Sequence, residues 1–286
     1  MEQSAALEIG MSEFTTQPWT FEQDVDHFAQ HRIQAIEVCE VKLARDRMHD
    51  QLRLPGEHGL RISSAQPAIR TLFPSKSQPE PVPVQQRMDL FRRTIESFGI
   101  YAQGLPFVTN TGIPPGGNIQ EVLDVAATEY FALAEYAGDY GASIAVEPLN
   151  PSLMNLESSI WTLEQAGELV DRVGRDNFGI CLDLWNVWQN PSVEDAIRLN
   201  GDRILVVQLA DWRTPRSDQD RLIPGDGDIP LGRLLGAIRD SGYRGAYSVE
   251  IFSNNVPNAL WDSDLDTVMR RSVEGLSRAW EAVRDA

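Results

Sequence analysis

Four short stretches in the second half of the chain end an apolar, β-like run on an oxygen-bearing side chain: AVEPLN at Glu147, CLDLWN at Asp183, VVQLAD at Gln208 and SVEIFS at Glu250. Carboxylates and an amide delivered to one place would crowd negative charge, and such crowding is stable mainly when a divalent cation neutralises it. Glu147, Asp183, Gln208 and Glu250 are therefore the expected ligands of a single metal ion. The donor set is hard and oxygen-rich, which favours Mn²⁺, with Mg²⁺ or Co²⁺ as alternatives, over a structural zinc cage. The histidines, His27, His31, His49 and His58, fall in helix-like or loop segments near the beginning of the chain, and none ends a candidate strand.

Such residues converge only if their strands lie side by side and end at one level. Strand-like and helix-like patterns alternate along the whole chain, the mark of a parallel sheet built from βα units. Strands are expected at Leu7 to Phe14, Ala35 to Val41, Arg61 to Gln66 and Phe107 to Thr111, and then at the four motifs. Helices are expected from Thr20, near Arg45 to Leu52, Val84 to Phe98, Ile119 to Tyr140, Thr162 to Val173, Ser192 to Leu199, Leu231 to Ser241 and Leu265 to Val283. Eight such repeats predict a single α/β domain, a (β/α)8 TIM barrel over residues 1–286, with functional groups gathered at the carboxyl ends of strands five to eight. Alternation along IAVEPL points Glu147 at the barrel axis, because its apolar neighbours must face helices or core. The proline-rich run PAIRTLFPSKSQPEPVP, Pro67 to Pro83, is expected to be a long loop over one barrel end, either a solvated connection or a substrate lid.

Composition narrows the partners. A formal net charge of −17 argues against binding nucleic acid or an anionic membrane surface. No segment is apolar for long enough to span a bilayer, and Cys39 and Cys181 lie in apolar runs where a thiol packs rather than reacts, so a cytoplasmic setting is expected. A homo-oligomer is expected, with Trp161, Trp261 and the proline-rich loop as candidate contacts.

The order of motifs carries a resemblance. Glu in VEPLN, Asp in LDLWN, a polar residue three before Asp211, and Glu in VEIF after GYRGAY resemble the xylose isomerase-like barrel superfamily of sugar isomerases and epimerases. The likeness extends along nearly the whole chain through the βα count, and its specific part runs from Glu147 to Phe252. It implies one divalent metal at the four positions, with the two glutamates also flanking the substrate. The seventh-strand ligand is usually histidine in that superfamily; Gln208 resembles the hydroxypyruvate isomerase branch, where glutamine occurs. The run DRLIPGDGDIP resembles the arginine and glycine turn that follows the seventh strand. The chain departs from many relatives in having Asn186 where they carry histidine. It also has LNPSLMN where ketose 3-epimerases place a further glutamate. A DNA-repair endonuclease of this barrel type is disfavoured, since it needs a histidine-rich zinc cluster and a basic face.

A metal at a barrel mouth that polarises a carbonyl acidifies the neighbouring C–H. Glu147 and Glu250 are the candidate acid and base, and Asp183 and Gln208 pure ligands, since an amide moves no proton at neutral pH. Candidate substrate-binding residues are Asn150, Trp185, Asn186, Arg213, Arg221 and Glu40. Trp188, Arg216 and Lys42 are secondary candidates. The expected activity is isomerisation or epimerisation of a sugar, keto-sugar or related polyhydroxy carbonyl compound through an enediolate. The same proton abstraction would serve a lyase acting on a keto-polyol or keto-glycoside. A sugar-binding subunit without chemistry is the remaining alternative.

Overall fold

The structure, a computed structural model, describes residues 6–113, 116, 118–214 and 217–284. Parts of the turn IPPGGN and Arg216 lie outside the described residues. Eight parallel strands close into one barrel in sequence order, β1 pairing with both β2 and β8. They are β1 (Ile9–Ser12), β2 (Ala35–Cys39), β3 (Arg61–Gln66), β4 (Pro106–Thr109), β5 (Ser143–Val146), β6 (Phe178–Asp183), β7 (Ile204–Leu209) and β8 (Tyr247–Val249). Around them lie α1 (Phe21–Gln30), α2 (Met48–Glu57), α3 (Val84–Phe98), α4 (Ile119–Gly138), α5 (Leu163–Val173), α6 (Leu184–Val187), α7 (Val193–Leu199), α8 (Leu231–Asp240) and α9 (Leu265–Arg284). The expected βα order is thus present: β1 is two residues shorter at each end, β2 ends two residues early, β3 keeps its expected bounds, and β4 begins one residue and ends two residues earlier than expected. One helix was not expected: α6 begins immediately after Asp183, whose Oδ1 accepts the backbone N–H of Trp185 as its cap.

Strand alternation divides the apolar residues into two sets. Met11, Ile36, Val38, Phe107, Ile144, Ile180, Leu182, Val207 and Val249 point outward into the large core shared with the helices. Val108, Ala145, Cys181 and Val206 form a separate small cluster, the inward layer of the barrel. Two residues further along each of these strands stand Asn110, Glu147, Asp183 and Gln208, so the same parity that fills the barrel floor delivers polar groups above it.

The segment 67–83 is irregular, as its prolines require, but it is packed rather than solvated. Leu72, Phe73, Ser75 and Gln78 are buried, and the fully buried Arg87 of α3 donates to the carbonyls of Thr71 (2.7 Å) and Pro81 (2.8 Å). The loop after β7 is pinned as firmly. The Asp211 carboxylate accepts the backbone N–H groups of Trp212, Gly225 and Ile229, and Arg221 N–H donates to Phe252 O at 2.8 Å. That loop rests directly on α9, where a Cβ added at Gly275 would lie 1.9 Å from Pro224 O.

Helix propensity and packing therefore oppose each other at Gly275. Alanine is intrinsically better in a helix by up to about 1 kcal/mol, but the overlap with a backbone oxygen costs about 1–3 kcal/mol, so packing wins. Gly275→Ala is expected to lower the melting temperature. Gly56→Ala, on α2 with nothing within 4 Å of the new methyl group, is expected to raise it. Calorimetry on both variants checks the pair, and a stabilised Gly275→Ala would contradict the close approach.

Candidate active site

The strand ends deliver three buried carboxylates to one point. One oxygen from each of Glu147, Asp183 and Glu250 lies within 4.8 Å of the others. Ligands bound to one divalent ion at about 2.0–2.6 Å are separated by no more than about 5 Å, so this spacing fits such an ion.

Each carboxylate is held by side-chain donors. Asn186 Nδ2 bridges Glu147 Oε1 (2.8 Å) and Asp183 Oδ2 (2.9 Å). Arg221 Nη1 bridges Asp183 Oδ2 (2.9 Å) and Glu250 Oε2 (2.9 Å). Asn110 Nδ2 donates to Glu147 Oε2 at 3.1 Å. The Arg221 guanidinium is itself wedged between the Trp185 ring, 4.6 Å from its centroid, and the Phe252 ring, at 4.9 Å. Stacking of this kind suits arginine and fixes the plane of its donors.

Burial dominates the electrostatics. It pushes Glu147 from an ordinary 4.5 to about 7, with the neighbouring Asp183 charge adding to the rise and Asn110, Arg221 and Arg70 opposing it. Burial likewise raises Asp183, and it raises Glu250 well above the usual range, Arg221 working against the rise in both. Burial also works against the charge on Arg221, but the surrounding acids outweigh it and the guanidinium is held protonated more firmly than usual.

Gln208 has a particular orientation. Its amide nitrogen donates to both oxygens of Glu37 (2.8 and 3.0 Å) and to Glu250 Oε1 (3.0 Å), while its oxygen accepts the Cys181 thiol at 3.0 Å. To ligate a metal, the amide would have to turn over and present Oε1 to the carboxylates. Glu37 would then have to be protonated to donate to that oxygen, and burial raises its pKa in that direction.

The cleft above these groups has a cavity volume of about 130 Å³. Its walls include Phe14, Gln66, Arg70, Trp185, Arg221 and Phe252. Phe14 and Phe252 pack ring to ring at 4.8 Å, and Arg70 lies over the Phe14 face at 5.5 Å. Trp185 Nε1 and Gln66 Oε1 are buried there without a hydrogen-bond partner.

Several expected substrate contacts are placed elsewhere. Glu40 sits in a 3-10 turn after β2 and is consumed by Ala68 N–H and Thr94 Oγ1, both at 2.7 Å, so it does not reach the cleft. Lys42 is buried against Asp24 (2.6 Å) rather than forming a solvated pair. Arg213 lines a separate surface cavity with Val256 and Asn258. Asn150 holds Asn186, its N–H donating to Asn186 Oδ1 at 3.0 Å, and borders an adjoining cavity with Trp188 and Trp212. Glu37, Asn110, Gln66 and Arg70 were not singled out from the sequence. Glu37 and Asn110 obey the same two-residue alternation as Glu147, which would have found them.

A description of the xylose isomerase-like TIM barrel matches residues 16–274. An inosose isomerase of Halalkalibacterium halodurans is 29% identical over 183 residues, 62% of this chain and 62% of that protein. A 3-dehydroshikimate dehydratase of Pseudomonas putida is 31% identical over 129 residues, 43% of this chain and 20% of that protein. The matches thus span less than two thirds of these relatives. A solved structure described as the IolI protein with a binding zinc atom superposes with a TM-score of 0.81 at 20% identity, covering 97% of this chain and 99% of that one.

The raised carboxyl pKa values set a pH dependence. Between about 4.5 and about 7 the folded, metal-free protein binds more protons at Glu147 than the unfolded chain does, so its stability falls as pH rises through that window. A divalent ion competes with those protons and binds more tightly as they leave. Without metal, the melting temperature is expected to decrease from about pH 5 to about pH 7.5, while the increment given by Mn²⁺ grows over the same range. A Mn²⁺ increment independent of pH would show that the cation does not engage these carboxylates.

Proposed function

The chain belongs to the xylose isomerase-like TIM barrel family, and on that premise we propose that it is a divalent-metal-dependent isomerase or epimerase of a keto-sugar or related polyhydroxy carbonyl compound. The observation that carries this reading is the pair Glu147 and Glu250, two buried carboxyls facing one cleft with Asp183 between them. Similarity to an inosose isomerase supports the same reaction class.

Glu147, Asp183 and Glu250 would hold the metal, joined by Gln208 once its amide turns over. The oxygen-rich set suits Mn²⁺ best. When bound, the ion supplies positive charge that neutralises the acids and polarises a substrate carbonyl. Glu147, pushed up to about 7 without a metal and lowered when a cation binds, would be the carboxylate that takes the proton from the carbon beside that carbonyl. Glu250 returns a proton at the adjacent carbon or on the opposite face. Asn186 and Arg221 hold the carboxylates in position. Trp185, Phe14 and Phe252 offer apolar surface to a sugar ring, and the unpartnered Trp185 Nε1 and Gln66 Oε1 would each satisfy a hydroxyl.

A lyase is the second reading, and Arg70 favours it. Arg70 projects a guanidinium into the cleft, and among the described residues it has no carboxylate partner. A guanidinium there without a direct ion pair suits a substrate carboxylate, such as that of the 3-dehydroshikimate named for one relative. Abstraction of the same proton would then expel a β-hydroxyl as water.

Incubation of the Mn²⁺-loaded protein with an inosose or keto-hexose in deuterated water separates the two. Isomerisation conserves the formula and incorporates solvent deuterium, whereas elimination yields a product lighter by water. Glu147→Gln and Glu250→Gln are each expected to lower turnover by at least about 100-fold. Full activity in either would remove it from the proton-transfer pair. Arg70→Gln is expected to raise KM about tenfold for an acidic keto-polyol and to leave a neutral one unchanged. Equal effects on both would rule out an anion site.

A further inference from the structure

On the outer wall, where the first and last helices meet, three side chains form a cluster that the barrel chemistry does not use. His27 stands in the last turn of α1, His31 is the residue that caps its C-terminus, and Asp266 lies in the first turn of α9. His27 Nδ1 lies 2.7 Å and His31 Nε2 2.8 Å from the same oxygen, Asp266 Oδ1. The three side chains are 32%, 22% and 42% exposed, so the cluster is reachable from solvent but partly sheltered. The His27 ring packs against the Trp19 ring, 4.2 Å between centroids with the planes tilted by 36°.

We propose that His27, His31 and Asp266 form a second metal site, selective for a borderline cation such as Zn²⁺, that staples α1 to α9. An i, i+4 histidine pair presents two imidazole nitrogens on one helix face, and imidazole suits zinc, copper and nickel where carboxylate clusters suit magnesium and manganese. Two nitrogens and a carboxylate oxygen make a three-ligand set whose fourth position is open to water. Tetrahedral bonds of about 2.0–2.1 Å separate ligand atoms by about 3.3 Å, so the two N···O contacts would open by about half an ångström, and the three ligand atoms already lie within 4.8 Å of one another. Small side-chain rotations at partly exposed residues supply that. His27 lies in the last turn of α1, where the helix dipole attracts cations, whereas Asp266 lies in the first turn of α9, where the dipole acts in the opposite sense. Hydrogen bonds from the two histidines hold the Asp266 carboxyl below its usual range against the effect of burial, so it is available as an anion. The two sites would thus differ in preference, the wall site taking zinc and the barrel site taking harder ions. Zinc that copurifies with the protein would then not report the ion in the cleft.

Glu147→Gln/Glu250→Gln removes two of the three clustered barrel carboxylates and so weakens that site relative to the wall site. Titration of this double variant with zinc chloride in a calorimeter is expected to give one equivalent of binding and a higher melting temperature, with magnesium chloride giving neither. Adding His31→Gln is expected to weaken zinc binding at least about tenfold. Asp266→Asn, which keeps the shape of an exposed side chain, is expected to do the same and guards against a folding defect in the histidine variant. In otherwise wild-type protein, where the barrel carboxylates can also take zinc, His31→Gln should reduce the zinc-induced thermal shift while leaving the Mn²⁺-induced shift intact. Failure of the double variant to bind zinc, or unchanged affinity in both His31→Gln and Asp266→Asn, would overturn the site, whatever the barrel is found to catalyse.

Discussion

The repulsion among buried carboxyls at the barrel mouth is the constraint around which the rest is arranged. Glu37, Glu147, Asp183 and Glu250 are all almost fully buried, and Arg221 is the cation that contacts two of them. Uncompensated charges in such a place cost several kcal/mol each. The fold answers with a ring of donors: Asn110, Asn186, Gln208 and Arg221 each bond at least one carboxylate oxygen. It answers also by raising pKa values, so that the metal-free site carries protons where the loaded site would carry a cation. These responses share one physical origin, and under the proposed metal binding they would set protons and metal in competition for the site.

The barrel makes that competition possible because parallel strands all end at the same face. Register aligns Asp183 with Gln208, and Gln208 with Ser248, two residues before Glu250. A two-residue period then stacks a polar layer on the dry layer of Val108, Ala145, Cys181 and Val206. The apolar floor excludes water from beneath and strengthens every interaction above it. The lid side is set by the two pinned loops. The segment 67–83 brings Arg70 over Phe14, and the loop after β7 brings Arg221 between Trp185 and Phe252. Gly275 lets that second loop lie against α9, which links a helix on the outer wall to the guanidinium in the site.

What could be read from the chain alone follows the same physics. Glu147, Asp183, Gln208 and Glu250 were legible because each ends an apolar run, where alternation leaves a polar side chain only the axis to face. Glu37 obeys that rule from inside AIEVC, two residues before the strand ends, so the last polar residue, Glu40, drew attention instead. Glu40 follows Cys39 in a 3-10 turn, and once strand geometry is lost, nearness in sequence no longer fixes direction. The same holds for Arg213, which lies four residues beyond the end of β7, outside the pleat. Arg70 was not legible at all, because an irregular proline-rich segment has no period from which to infer a side chain's aim. The orientation of the Gln208 amide was equally hidden, since it depends on Cys181 and Glu37, partners from other strands.

Within the proposed chemistry, Asn186 limits what the site can do. An amide neither gives nor takes a proton at neutral pH, and Asn186 is already committed to Glu147 and Asp183. Proton movement then rests on Glu147 and Glu250. Returning the proton to carbon gives an isomer or epimer; delivering it to a departing β-hydroxyl gives elimination. Both outcomes use the same first step and the same two acids. The choice between them therefore lies in how the cleft orients the substrate, and Arg70, Gln66 and Trp185 are the wall groups with unspent polar capacity to do so. On the proposed reading, specificity in this barrel would reside on the walls, while the strand ends would supply a proton transfer common to every substrate.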